Sequence, residues 1–122
     1  MIDHTGYSVS DLARSIAFYE KALAPLGYAL VTKFEGGAGF GAGKTPDFWI
    51  STGTPTDKIH IAFRAPGRAQ VRAFYDAALA AGGADNGPPG TRPRYHEHYY
   101  GAFVRDPDGH NVEAVCHEPF LG

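Results

Sequence analysis

Two stretches of this chain carry strand-like alternation followed by helix-like spacing. Ile59, Ile61 and Phe63 alternate with His60, Ala62 and Arg64, as Thr5, Tyr7 and Val9 alternate with His4, Gly6 and Ser8. A period of two places successive side chains on opposite faces of a strand. Leu12, Ile16, Tyr19 and Leu23 then recur three or four apart, and so do Val71, Phe74/Tyr75, Ala78 and Leu79, the spacing of a helix with one apolar face. Ser10-Asp11 offers a cap to the first helix, and Pro66-Gly67 punctuates the entry to the second. Gly27 and Gly83 fall just past the helices, where a left-handed residue or a turn is wanted. Short strands are predicted at about 28–34, 38–42 and 47–52, and again at about 84–87, 98–105 and 110–117. Asp106-Pro107-Asp108-Gly109 joins the last two as a turn, with Pro presetting one dihedral and Gly accepting a positive one. The stretch Asp85 to Arg94, containing Gly87-Pro88-Pro89-Gly90, predicts a surface loop of the kind that rims a binding site.

The two halves repeat each other. With an offset of 56, His4 meets His60, Phe18-Tyr19 meets Phe74-Tyr75, Ala22-Leu23-Ala24 meets Ala78-Leu79-Ala80, and Gly27 meets Gly83. No gap is needed, and chance seldom aligns a His, an aromatic dipeptide and a terminal Gly in one register. Each half therefore reads as a β-α-β-β-β module, at 1–55 and 56–122. The predicted fold class is α+β, built from paired βαβββ modules.

Composition narrows the partners. At 122 residues, with 43% hydrophobic and 20% charged residues, the chain has room for one compact domain. The net charge of -2 comes from interspersed acids and bases, without the clustered Lys/Arg that phosphate backbones demand, so nucleic acid is not an expected partner. No apolar run approaches a membrane span, and Met1-Ile2-Asp3-His4 lacks the charged-then-apolar start of a signal peptide. A single cysteine, Cys116, excludes an internal disulfide and sits in an apolar run as a core residue would. A cytoplasmic location is expected. Ala38 to Thr45 lies one residue from a phosphate-binding loop, but Pro46 and the strand-like Phe48-Trp49-Ile50 follow where that motif needs a helix.

The residues also carry a family resemblance. Asp3-His4, Val9-Ser10-Asp11-Leu12-Ala13-Arg14-Ser15 and Phe18-Tyr19 resemble the opening of the glyoxalase, bleomycin-resistance and extradiol-dioxygenase (vicinal oxygen chelate) superfamily. His60-Ile61-Ala62-Phe63 and the run from Asp106-Pro107-Asp108-Gly109 to Asn111-Val112-Glu113 are similar to its later elements. The resemblance spans nearly the whole chain and implies a glyoxalase-like fold, a curved mixed sheet cupped around a ligand with the helices outside, while leaving the reaction open, since the fold hosts isomerases, oxygenases, epimerases and non-catalytic binders. It also implies a homodimer, with the cup closed either within one chain or across two.

In that superfamily the metal ligands come from the first and last strands of the modules. The resemblance thus implies His4, His60 and Glu113 as ligands for a divalent transition metal: Fe, Mn, Zn, Co or Ni. Two imidazoles and a carboxylate suit such ions and leave positions open for a substrate. The position matching the fourth glyoxalase I ligand is Trp49, which supplies no carboxylate and argues against that isomerisation. The dioxygenase pattern expects a Tyr where this chain has Phe103, which cannot donate a proton, and a His near the place of His96. No catalytic residue beyond the ligands is identified. Trp49, His96, Tyr99, Tyr100 and Phe103 are the candidate substrate-binding residues, because Tyr and His join apolar bodies to polar tips. The expected activity is metal-assisted chemistry on a small oxygen-bearing substrate; the alternative is a non-catalytic cup for a drug-like or aromatic molecule.

Overall fold

A computed structural model describes residues 2–55 and 57–119. Strand β1 (Thr5–Val9) leads into helix α1 (Leu12–Leu23), a short 3-10 turn (Ala24–Leu26), and strands β2 (Ala29–Phe34), β3 (Gly37–Gly41) and β4 (Phe48–Thr52). The order then repeats: β5 (His60–Arg64), α2 (Arg68–Ala80), β6 (Ala84–Thr91), β7 (Tyr100–Arg105) and β8 (Asn111–Cys116). Each half makes its own four-stranded mixed sheet, ordered β1-β4-β3-β2 and β5-β8-β7-β6. In each, the first strand pairs parallel with the last, and the other neighbours are antiparallel. Neither sheet closes into a barrel. No helix among the described residues is long and apolar enough to cross a membrane.

Alternation decides what each sheet face does. Val9, Ala38, Phe40, Phe48 and Ile50 are buried together with Ile16, Phe18, Tyr19, Ala22 and Leu23 of α1. Phe63, Ala102, Val104, Val112, Ala114 and Cys116 do the same with Val71, Phe74 and Ala78 of α2. Burying a large apolar side chain contributes roughly 1.5–3 kcal/mol, so these two layers hold the helices in place. The opposite faces, with Gly6 and Trp49 on one sheet and His60 and Ala62 on the other, stay at least partly exposed.

The helix ends differ between the halves. Asp11 caps α1 by accepting the Arg14 amide at 3.1 Å, whereas Ser10 turns away to donate to Asp108. Gly27 adopts the left-handed conformation the sequence predicts, at φ 86°. Its repeat partner Gly83 does not; the positive φ belongs to Gly82, at 101°. Gly83 serves packing instead, because a Cβ there would lie 2.5 Å from Val104 Cγ1 and 2.8 Å from Phe18 Cε1. One aligned glycine thus does two different jobs.

The predicted surface loop over Asp85 to Arg94 is corrected by the structure: most of it is the edge strand β6. Pro88 and Pro89 fit there because an edge strand leaves some amides without ladder partners. Register shifts at Asp85/Gly87 and Gly87/Gly90 absorb the irregularity. Conversely, 95–99 forms turns before β7 begins at Tyr100, later than the predicted 98.

A buried polar chain ties the halves together. The Tyr7 and Tyr19 hydroxyls meet at 2.5 Å, and Tyr19 donates to Asp106 at 2.6 Å. Asp106 also accepts the amides of Asp108 and His110. His110 Nδ1 accepts the Ile59 amide, which leaves Nε2 to donate to the Ser8 carbonyl at 3.1 Å. The Tyr7 ring stacks on His110 with centroids 4.2 Å apart. On the surface, Ser10 and Arg14 bond Asp108 and the Pro107 carbonyl. The Asp-Pro-Asp-Gly turn is therefore a clasp between modules as well as a hairpin.

Candidate functional site

Glu113 is the centre of the open face of the second sheet. It is 1% exposed yet carries a carboxylate, and a buried carboxylate needs partners. Register places it beside Ala62 on β5 and Phe103 on β7. His60, two positions from Ala62 on the same face, brings Nε2 to 2.9 Å from Glu113 Oε1. The Tyr99 hydroxyl donates to Oε2. Gly101 makes room for this contact, since a Cβ there would sit 3.1 Å from the Tyr99 ring. Burial, the hydrogen bond to Glu113 and the charge of that carboxylate push the Tyr99 phenol well above its ordinary value. Tyr99 is thus held as a donor at neutral pH.

His4 stands apart from this group. It precedes β1 on the first sheet, is largely exposed, and its Nδ1 lies 2.8 Å from Asp3 Oδ1. An imidazole whose Nδ1–H is held by a carboxylate presents Nε2 as a ligand. Trp49 lies close by, and the two help line an open hollow of about 490 Å³ with Gly6 and Pro46. Gly39 lies under the Trp49 indole, where a Cβ would stand 2.8 Å from Cζ3, and Gly6 leaves room beside the Trp49 backbone, where a Cβ would stand 2.6 Å from its carbonyl oxygen. Phe34, 54% exposed, is tilted against Trp49 with ring centroids 6.3 Å apart. A second cleft of about 300 Å³ has His4 on one wall and Ala62 and Arg64 of β5 on the other.

The sequence-derived candidates therefore separate into groups. His60, Glu113, Tyr99 and Phe103 share one face, with the His60 and Phe103 rings 6.3 Å apart. His4, just before β1, and Trp49, on β4, line one hollow at the other sheet. Tyr100 points the opposite way from Tyr99, against the core and under the Arg68 guanidinium at 4.8 Å. His96 lies in an exposed turn, where Nδ1 accepts the His98 amide and its ring faces His117 at 5.4 Å. Among the described residues no three His, Cys, Asp or Glu side chains converge on one point.

Two side chains of the second sheet carry donor atoms that metals accept, and His60 Nε2 and Glu113 Oε1 lie 2.9 Å apart, within hydrogen-bonding distance of each other. Sequence reasoning passed over Arg92, whose guanidinium lies 5.6 Å above the Phe103 ring, and His110 in the buried clasp. An Arg in a Pro/Gly stretch and a lone His after a turn give no periodic signal, so only their spatial neighbours reveal them.

The comparisons agree with this architecture. The sequence profile described as Glyoxalase/Bleomycin resistance protein/Dioxygenase superfamily matches residues 1–114. Among solved structures, the chain is similar to a glyoxalase/bleomycin resistance protein from Albidiferax ferrireducens, at 29% identity and TM-score 0.81, covering 96% of this chain and 98% of that one. Lactoylglutathione lyase from Agrobacterium tumefaciens superposes at TM-score 0.72 with 20% identity over 95% and 92% of the two chains. Fosfomycin resistance protein FosX from Mesorhizobium loti does so at 0.71 with 19% identity over 99% and 93%. At those last two identities the likeness concerns the fold alone. No curated protein sequence matches the chain.

Proposed function

Because this chain belongs to the glyoxalase/bleomycin resistance/dioxygenase superfamily, we propose that it is a metal-dependent enzyme acting on a small oxygen-bearing substrate. His60 and Glu113 are two of the ligands and His4 is the third. The observation that carries the reading is Glu113: a carboxylate 1% exposed, on an otherwise open sheet face, with an imidazole nitrogen 2.9 Å away. His4 precedes β1 of the other sheet, its Nδ1 held by Asp3 and its Nε2 left to coordinate, so in this reading two copies pair open face to open face. His4 of the partner subunit then completes the set.

A divalent transition metal bound there supplies Lewis acidity toward two neighbouring substrate oxygens. Glu113 contributes charge that the surrounding protein cannot screen, and Tyr99 fixes its orientation through Oε2. Phe103 and, from the partner, Trp49 wall the substrate from water. Asp3 holds the His4 ring in the tautomer that presents Nε2.

A second reading is favoured by one feature. Trp49, laid over Gly39 with Phe34 beside it, offers an aromatic surface that needs no metal to bind a flat ligand. Elemental analysis separates the two. Purified wild type is expected to hold a near-stoichiometric transition metal, and a His4→Ala/His60→Ala double variant to hold none. A wild type that neither carries nor takes up Fe, Mn, Zn, Co or Ni leaves the binding-protein reading in its place.

A further inference from the structure

We infer that Arg92 anchors an anionic group of the ligand — a carboxylate, phosphonate or phosphate — at the rim of the Glu113 face. The inference rests on the cup being the ligand site, and it names the substrate class that site takes. Arg92 is half-buried beside Phe103, its guanidinium 5.6 Å from that ring. Phe103 in turn neighbours His60. The guanidinium therefore belongs to the same face as the proposed ligands.

Its position is built by the irregular edge strand. Nη2 donates to the Pro88 carbonyl at 2.9 Å and Nη1 to the Thr91 carbonyl at 3.2 Å. Gly87 and Gly90 leave the space it fills, since a Cβ would come within 3.4 Å of Nη2 at the first and 3.0 Å of Nη1 at the second. Two carbonyls orient the group without neutralising it. Among the described residues no carboxylate lies within ion-pair distance of Arg92, and the donors not used on the carbonyls remain for a ligand. A guanidinium fixed in a partly desolvated site, with a planar array of donors and no counter-ion among the described residues, matches a bidentate oxyanion. The Gly-Pro-Pro-Gly segment gains a purpose from this: its bulges aim carbonyls at one arginine.

Chelator-treated protein titrated with methylphosphonate and with acetate, followed by amide NMR at matched ionic strength against chloride, tests the assignment. Saturable shifts centred on Gly87, Gly90 and Phe103 are expected, and whichever anion binds more tightly identifies the oxyanion. Arg92→Gln should weaken binding about tenfold or more, and Arg92→Lys less, because it keeps charge but loses the fork. Gly90→Ala, which crowds Nη1 while leaving Arg92 in the chain, should also weaken it and serves if the Gln variant does not fold. Absence of saturable shifts in the wild type, or unchanged affinity in a folded Arg92 variant, overturns the proposal. The titration needs no metal, so failure of the metal reading leaves its result intact, and a metal-loaded protein blind to both anions rejects Arg92 alone.

Discussion

Glu113 shows how much a single buried charge demands of its neighbours. Its Oε1 is answered by His60 and its Oε2 by Tyr99, and Gly101 is small so that Tyr99 can arrive. Tyr99→Phe removes one donor and leaves half the carboxylate without a partner away from water. A loss of about 1–3 kcal/mol in unfolding free energy is expected from urea denaturation of the metal-free protein. In metal-loaded protein the same change should lower affinity about tenfold or more, since a partner that orients a ligand has gone. The sequence marked Tyr99 and Glu113 separately, one from an aromatic-rich run and the other from the resemblance. Their contact was not legible, because it depends on a turn over 95–99 that no alternation announces. The same turn puts Tyr99 and Tyr100 on opposite sides of the sheet, which the run of letters alone treats as equals.

The elements themselves were largely readable. Both helices and the strand order β-α-β-β-β follow from apolar spacing, which tertiary packing reinforces at Ile16, Tyr19 and Leu23, and at Val71, Phe74 and Ala78. β6 was the exception: Gly87-Pro88-Pro89-Gly90 carries every sign of a loop, yet an edge strand tolerates prolines and its bulges absorb the glycines. The repeat also misled in one detail, since Gly83 aligns with left-handed Gly27 but is required by Val104 and Phe18 instead. At this scale Gly87→Ala is the informative change. The residue has φ 149°, and an added Cβ would stand 3.0 Å from Phe103 Cδ1. Thermal or urea unfolding should show a loss of about 1–3 kcal/mol. An unchanged midpoint would mean that the bulge does not depend on glycine.

At the scale of the molecule, the halves are held by the clasp of Tyr7, Tyr19, Asp106, His110 and Ser8. Burial first, and then its hydrogen bonds and the neighbouring charges, keep the Tyr19 phenol well above its ordinary value of 10.0. Tyr7 is raised as well, chiefly by burial, even though its bond to Tyr19 works the other way. Both folded values exceed the unfolded one, so this stabilisation is complete below about pH 10 and is lost as pH rises from there through the folded values. Each phenol kept protonated in the folded state while ionised in the unfolded chain removes about 1.4 kcal/mol per pH unit over that window. Urea unfolding between about pH 8 and pH 11 should show this decline, with a shallower slope in Tyr19→Phe. Equal slopes would place the alkaline sensitivity elsewhere.

The central claim concerns a larger assembly still, because His4 enters one sheet while His60 and Glu113 belong to the other. The most direct test is the metal content of a mixture. His4→Ala and His60→Ala chains are prepared separately, stripped, allowed to exchange subunits, and then offered metal. Each variant alone should take up little. After statistical exchange, half of the dimers carry one site with both histidines, so about a quarter of the wild-type occupancy should return. No recovery in a mixture shown to exchange subunits would contradict a site completed across two copies, and a wild type that binds no metal would contradict the site itself.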